Sequence, residues 1–205
     1  MTTLSIRQVG SRGAKLLTFG GSLGRYAVGD GDAVLATGQF RTARSQLDIE
    51  ADGRLLTAKM KWKLDLPNEL EVVDATTGEK VIEGRRTSGA RQEQEWAMVL
   101  PTGATVSWVY RAEQDTLGVF NPDGGPVMQM GHDPSFDTSA KGGTLRVLFR
   151  FWGAAIASAD RFVAQVEDGA VGQAVRREDL PILALLSMWL EKTAEADTTP
   201  TGGFQ

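Results

Sequence analysis

The chain contains no cysteine among its 205 residues. Disulfide bonds, thiolate metal ligands and a cysteine nucleophile are therefore excluded. A secretory signal is also missing from the N-terminal stretch MTTLSIRQVGSRGAKLLTF, because no long apolar run follows its first basic residue. We therefore expect a cytoplasmic protein, either free or peripheral to a membrane.

Charge of one sign is not in large excess. The formal net charge is -4, with 41% hydrophobic and 23% charged residues, which is the composition of an ordinary globular chain. A mildly acidic balance gives the whole molecule no attraction to nucleic acid or to an acidic membrane, so either would require a local basic patch. We predict no nucleic-acid partner, no cofactor and no metal.

Long apolar runs are absent except for one close to the end of the sequence, REDLPILALLSMWLEK at residues 177–192. An α-helix from Leu180 to Leu190 would span about 16 Å, against roughly 30 Å of bilayer hydrocarbon, so no transmembrane segment is expected. The apolar side chains leave no wide polar sector, which a partner-binding helix usually keeps. We predict a helix at about 179–192, capped by Asp179 and buried on all sides by its own protein.

Glycine, in contrast, is abundant, with 24 residues spread along the chain. Asp-Gly and Gly-Gly pairs between apolar, β-prone stretches predict tight hairpin turns, because glycine supplies the positive φ that such turns need. The predicted turns are Gly29–Asp32, Asp52-Gly53, Thr77-Gly78, Asn121–Gly125 and Asp168-Gly169. Strand-like alternation also marks residues 59–64, 104–111 and 144–152.

Many short strands in one chain are typical of an all-β barrel or sandwich. A barrel of about 12 strands has a lumen too wide for its own side chains, and a helix about 10 Å across would fill it. We therefore predict one all-β domain, a closed antiparallel barrel around the buried C-terminal helix. The expected boundaries are 1–13 for an N-terminal extension, 14–195 for the barrel and 196–205 for a disordered tail, with a mobile loop at 131–143.

The order of these elements resembles the tubby C-terminal-like superfamily, which includes tubby, the phospholipid scramblases and the LURP-one-related proteins. The resemblance covers roughly residues 15–192 and rests on the Tyr26–Leu35 hairpin, the stretch VVDATTGEKVI and the ending DRFVAQVEDG…REDLPILALLSMWLEK. It implies that basic residues on the barrel surface bind anionic phospholipid headgroups. The calcium segment of scramblases is not matched, because residues 158–162 offer one carboxylate beside an arginine.

Basic residues on the outer face are the first candidates for a binding site. They are Lys59, Lys61, Lys63, Arg85, Arg86, Arg146 and Arg150. The three lysines alternate along one predicted strand and therefore share a face. By resemblance, these residues are expected to bind an anionic phospholipid at a membrane surface, or a protein partner. The alternative is a solvated strand face on which lysine guards a sheet edge against aggregation.

The single histidine, His132, is the second candidate. Asp133 follows it and Asp137 lies nearby, a group that acid–base or metal chemistry could use. No nucleophile elbow and no further clustered ligand accompany it, so a polar loop is the competing interpretation. The sequence thus predicts a non-enzymatic binding barrel. The alternatives are a hydrolase or metal-dependent enzyme that uses the His132 loop, and a purely structural interaction protein.

Overall fold

Twelve antiparallel strands close into one barrel in the computed structural model of the chain. The structure describes residues 2–9, 24–41, 46–63, 66–89, 93–111, 116–132, 161–167 and 175–198. The strands are β1 (Thr2–Val9), β2 (Arg25–Asp30), β3 (Ala33–Arg41), β4 (Gln46–Ala51), β5 (Arg54–Lys63), β6 (Leu66–Asp74), β7 (Lys80–Ser88), β8 (Glu93–Val99), β9 (Thr105–Arg111), β10 (Thr116–Phe120), β11 (Pro126–His132) and β12 (Arg161–Val166). The predicted all-β class and closed barrel are confirmed.

Each strand pairs with its neighbours in the sequence, and the first and last strands close the circle. Leu4 of β1 lies opposite Ala164 of β12, and both side chains are buried in the lumen. Residues 2–9 therefore belong to the barrel, which corrects the prediction of an N-terminal extension over 1–13. The reason is a period-two pattern, because buried Leu4 and Ile6 alternate with exposed or half-exposed polar residues.

Hairpin turns follow the glycine signals in the sequence. At the β4–β5 turn, both Asp52 (φ 49°) and Gly53 (φ 70°) have positive φ, the backbone that a two-residue hairpin with right-handed strand twist requires. The turns predicted at Gly29–Asp32, Thr77-Gly78 and Asn121–Gly125 likewise connect paired strands. The turn at Asp168-Gly169 and the strand at 144–152 lie outside the described residues.

The short turns all lie at the same end of the barrel. We call this end the turn rim; it carries residues 31–32, 52–53, 75–79, 100–104 and 121–125. The opposite end is the far rim, where β3, β5, β7 and β9 end at Arg41, Lys63, Ser88 and Arg111. Because the strands run alternately up and down, every described strand has one end at each rim.

A helix occupies the lumen and runs from one rim to the other. A 3-10 turn, Arg177–Asp179, leads into α1 (Leu180–Thr198), and every residue from Leu180 to Glu191 is buried. The helix begins at the turn rim, and at the far rim the Lys192 ammonium lies 5.8 Å from the centre of the Tyr26 ring. The predicted burial is therefore confirmed. The helix is longer than predicted, because it continues past Lys192 and includes residues 196–198, which were assigned to a disordered tail.

The helix does not lie on the barrel axis but closer to β1–β4 and β10. On that wall, a Cβ atom added to Gly38 would lie only 3.0 Å from Cδ2 of Leu185. On the opposite wall, the fully buried indoles of Trp96 and Trp108 face the lumen from adjacent strands. A small residue beside the helix and large residues away from it together fill an uneven space, as close packing requires. Within the described ranges, no helix combines the length and apolarity needed to cross a membrane.

Asp179 lies at the point where α1 begins, and its side chain is only 2% exposed. Its N–H donates a hydrogen bond to the Arg176 carbonyl at 3.0 Å, and its Oδ2 atom has no hydrogen-bond partner among the described residues. Burial, and then the neighbouring charge of Glu178, raises the pKa of this carboxyl above its ordinary value. The N-terminal side of the helix thus holds a carboxylate in a place that favours its protonated form.

We expect Asp179→Asn to raise the melting temperature at pH 7, because the folded protein no longer buries a carboxylate there. The folded pKa is raised, so the stability contribution of Asp179 is fully present below the unfolded value near 3.8 and is lost as pH rises through the folded pKa. The advantage of the variant should therefore disappear on acidification. Melting temperatures measured at pH 7 and at a pH below 3.8 test this prediction. The variant Asp32→Asn, at an exposed position, is the control. An equal advantage at both pH values would contradict it.

Candidate functional site

The filled lumen leaves the outer wall and the rims as places for a ligand. A cleft of about 70 Å³ lies at the far rim among Ser88, Glu93, Gln94, Tyr110 and Arg111. Small-molecule sites are usually clefts of about 300–1,000 Å³, so this cleft holds a few water molecules at most. The charged side chains of the outer wall therefore offer a larger surface for a ligand than this cleft does.

The lysine row consists of Lys59, Lys61 and Lys63 on β5, and the structure places all three exposed on the outer wall. Met60, between the first two, is buried in the lumen as alternation requires. Trp62 follows the same alternation but is 42% exposed. It is the next-to-last residue of β5 and therefore lies at the far rim, where the register of β5 against β6 shifts.

Carboxylates on β6 lie directly across from the lysine row. Lys59 is opposite Glu71, and Lys61 is opposite Glu69. The Lys61 Nζ atom lies 3.6 Å from Glu69 Oε2 and 3.8 Å from Glu71 Oε2. Lys63 differs, because the register places the uncharged Leu66 opposite it. Part of the positive charge of the row is therefore compensated within the barrel wall.

The ladder of opposite charges continues onto β7. The Lys80 Nζ atom lies 3.0 Å from Glu71 Oε1 and 2.8 Å from Glu83 Oε1. The hydrogen bond from Lys80 lowers the pKa of Glu71, partial burial opposes this shift, and the charges of Lys80, Lys61 and Lys59 reinforce it. Hydrogen bonds to Glu83 and Glu71 raise the pKa of Lys80. Glu71 and Lys80 are therefore charged at neutral pH, and the wall from β5 to β7 carries side chains of both signs.

Arg85 and Arg86 lie on opposite sides of β7. Arg85 is exposed and opposite Glu69, so it belongs to the outer ladder. Arg86 is opposite the buried Trp96, is only partly exposed, and donates a hydrogen bond from Nη2 to the Gly89 carbonyl at 2.7 Å. Grouping the two arginines on one outer surface was therefore wrong, because consecutive residues of a strand point to opposite faces. Arg146 and Arg150 lie outside the described residues.

The histidine candidate stays a prediction. His132 is the last residue of β11, while Asp133 and Asp137 lie outside the described residues. In the part of the chain that the structure describes, no three histidine or acidic side chains gather into a group that could hold a metal ion. Gly131 and His132 belong to β11, which corrects the start of the loop predicted over 131–143, and residues 133–143 lie outside the described residues.

Sequence reasoning missed a second set of cations, on strands β1–β3, which β4 separates from the lysine row on β5. Arg7, Arg25 and Arg41 lie on the neighbouring strands β1, β2 and β3 and are all exposed. Each strand supplies only one of them, so no local run of basic residues signals the group. Arg7 in particular was assigned to an extension outside the barrel. Strand alternation around residues 2–9 is the signal that would have found it.

The fold and its surface define a class of protein, a closed twelve-stranded barrel with a helix-filled lumen whose accessible chemistry lies on its outer wall. Comparison of the chain with protein-family models, with curated proteins and with solved structures gave no match. The resemblance to the tubby C-terminal-like superfamily therefore stays a prediction.

Proposed function

We propose that this chain is a non-enzymatic binding module that holds an anionic lipid headgroup on the outside of its barrel, at the lysine row. The observation that carries the proposal is the helix in the lumen, since it occupies the space that other barrels use for a ligand. What remains for recognition is an outer wall with several exposed cations within one Debye length of each other. The resemblance to tubby-like barrels supports the same ligand class.

The charge ladder sets the strength expected of this binding. A phosphate must compete with Glu69 and Glu71 for Lys61, whereas Lys63 has no carboxylate directly opposite. Lysine near an anionic membrane surface contributes about 1 kcal/mol, and salt screens that attraction. Weak binding that decreases with ionic strength is therefore expected, carried mainly by Lys63.

Co-sedimentation with vesicles tests the proposal. Vesicles of phosphatidylcholine with phosphatidylserine should bind the protein, and phosphatidylcholine alone should not. Lys63→Gln should weaken binding about fivefold, and replacement of all three lysines by alanine should remove it. Lys80→Gln is the matched control, because it also removes one positive charge but from an ammonium already held by Glu71 and Glu83. No preference for anionic vesicles, or full binding by the triple variant, would reject the proposal.

A protein partner is the second candidate, and the mixed signs of the wall favour it. Glu69, Glu71 and Glu83 would repel phosphate groups, but they could pair with basic residues of a partner surface. Absence of vesicle binding in every condition would leave the protein partner as the remaining binding candidate.

The enzyme alternative has its own test. If it is correct, His132→Ala abolishes a hydrolytic or metal-dependent activity.

A further inference from the structure

The wall formed by β1, β2 and β3 carries three outward arginines, of which only Arg41 has an ion-pair partner among the described residues. Over residues 3–9, 25–29 and 37–41, the outward positions of this wall are Thr3, Ser5, Arg7, Val9, Arg25, Ala27, Gly29, Thr37, Gln39 and Arg41. None of these is acidic, whereas every outward lysine of β5 except Lys63 has a glutamate directly opposite it. We call Arg7, Arg25 and Arg41 the arginine face.

The strand register arranges the arginine face along one diagonal line. Ala27 lies opposite Arg7, and Arg25 is two residues further along β2 toward the far rim. Gln39 lies opposite Arg25, and Arg41 is two residues further along β3 in the same direction. Each step is therefore a diagonal cross-strand neighbour, with about 7–8 Å between the residues. The register also places Arg161 of β12 opposite Arg7, at the end of the line that is nearer the turn rim.

The arginine face contributes little to the stability of the folded barrel. Like charges on adjacent strands destabilise a sheet, and most of the positions between the arginines carry small or uncharged residues. Arg41 is held by Asp48 of β4, with Nε 2.6 Å from Oδ2. For Arg7 and Arg25, the described ranges contain no ion-pair partner. Arg7 and Arg25 thus carry exposed guanidinium groups among outward positions that hold no acidic residue, and Arg41 lies beside them, held by Asp48.

Spacing and chemistry indicate the ligand. Guanidinium groups bind carboxylates in bidentate fashion, and arginine is suited to such planar recognition at interfaces. In an extended chain, alternate side chains share one face and are about 6.5–7 Å apart, close to the diagonal step between the arginines. Val9 is the large apolar residue exposed beside them, whereas exposed Val34 and Leu35 of the same wall lie toward the turn rim.

We propose that the arginine face is a docking surface for an extended acidic segment of a partner protein, in which every second residue is Asp or Glu. Three consecutive acidic positions of such a segment would pair with Arg7, Arg25 and Arg41 in turn. Arg41 lies two strands from Lys59, with Gln46 of β4 opposite both, whereas Arg7 and Arg25 lie on strands further from the lysine row. The proposal does not rest on lipid binding, because it uses Arg7 and Arg25 and not the lysine row.

Fluorescence anisotropy with a labelled octapeptide of alternating Glu and Thr tests the docking surface at low ionic strength. We expect Arg7→Gln/Arg25→Gln to weaken binding about tenfold. Lys59→Gln/Lys63→Gln is the matched control, because it removes the same charge from β5, two strands beyond β3, and its affinity should stay within about twofold of the parent. A block isomer of the peptide, with the four Glu residues contiguous, should bind more weakly than the alternating one.

Several outcomes would overturn the docking proposal. Equal losses in the two double variants would show a net-charge effect, and equal affinity for the alternating and block peptides would remove the spacing argument. If the protein binds phosphatidylserine vesicles through Arg7 and Arg25 but does not bind the peptide, the ligand is a membrane surface instead.

The charge-reversed variant Arg7→Glu/Arg25→Glu provides a second readout. It should bind an alternating Lys-Thr peptide that the parent does not bind. Unchanged melting temperatures would show that these variants are folded.

Discussion

Truncation of the chain after Val175 is expected to abolish the folded barrel, because it removes the whole helix from the lumen. Eight large apolar side chains between Leu180 and Leu190 are buried there. Each contributes about 1.5–3 kcal/mol on burial, so together they contribute on the order of 12–24 kcal/mol. That exceeds the total stability of an ordinary domain, about 5–15 kcal/mol. The inward residues of the strands would also lose the surface against which they pack.

Circular dichroism and size-exclusion chromatography measure this outcome. The truncated chain should show no cooperative thermal transition and should aggregate. Truncation after Thr198 is the control, because it keeps all of α1 and should melt like the parent. A folded, monomeric protein without residues 176–205 would contradict the expectation. Such a result would mean that the wall is stable alone and that the helix has another role.

Leu185→Ala is expected to destabilise the protein by about 2–5 kcal/mol, the usual cost of truncating a large apolar side chain at a fully buried site. Leu185 has no exposed surface, and its methyl groups approach the wall at Gly38, which has no side chain to fill the space that alanine would leave. The cavity should therefore remain open, and the loss should lie toward the upper part of that range.

Urea unfolding of matched leucine variants measures the effect. Leu55→Ala makes the same chemical change on β5, but Leu55 is 53% exposed, and its cost should stay within about 0.5 kcal/mol. Similar costs at the two positions would contradict a helix packed against the barrel wall. A change in the urea slope as well as in the midpoint would indicate that the native lumen has loosened.

The architecture could be predicted from the sequence because its determinants are local. Asp-Gly pairs such as Asp52-Gly53 fix turns through backbone φ, and alternation around Met60 fixes which side of a strand faces inward. The all-round apolarity of residues 180–190 required burial, and a barrel with about a dozen strands has room for one helix. The signal for each turn, each strand face and the helix lies within one short stretch of consecutive residues.

The surface could not be predicted in the same way, because it depends on which strands become neighbours. Lys61 is compensated by Glu69 and Glu71 only through the β5–β6 register, and a bulge beside Trp62 shifts that register. The arginine face is distributed over three strands, and Arg7 joins it only after the first strand closes the barrel. Pairing across the chain is set by the whole fold.

The closing contact between β1 and β12 has a consequence for how this protein is made. Residues 2–9 pair with residues 161–166, and the helix that fills the lumen comes after both. During synthesis the first strand must wait for most of the chain to leave the ribosome before its second edge is covered. Long-range pairing of this kind slows folding and leaves strand edges open to aggregation meanwhile. The closed barrel has no free sheet edge, whereas the same sheet before closure has two.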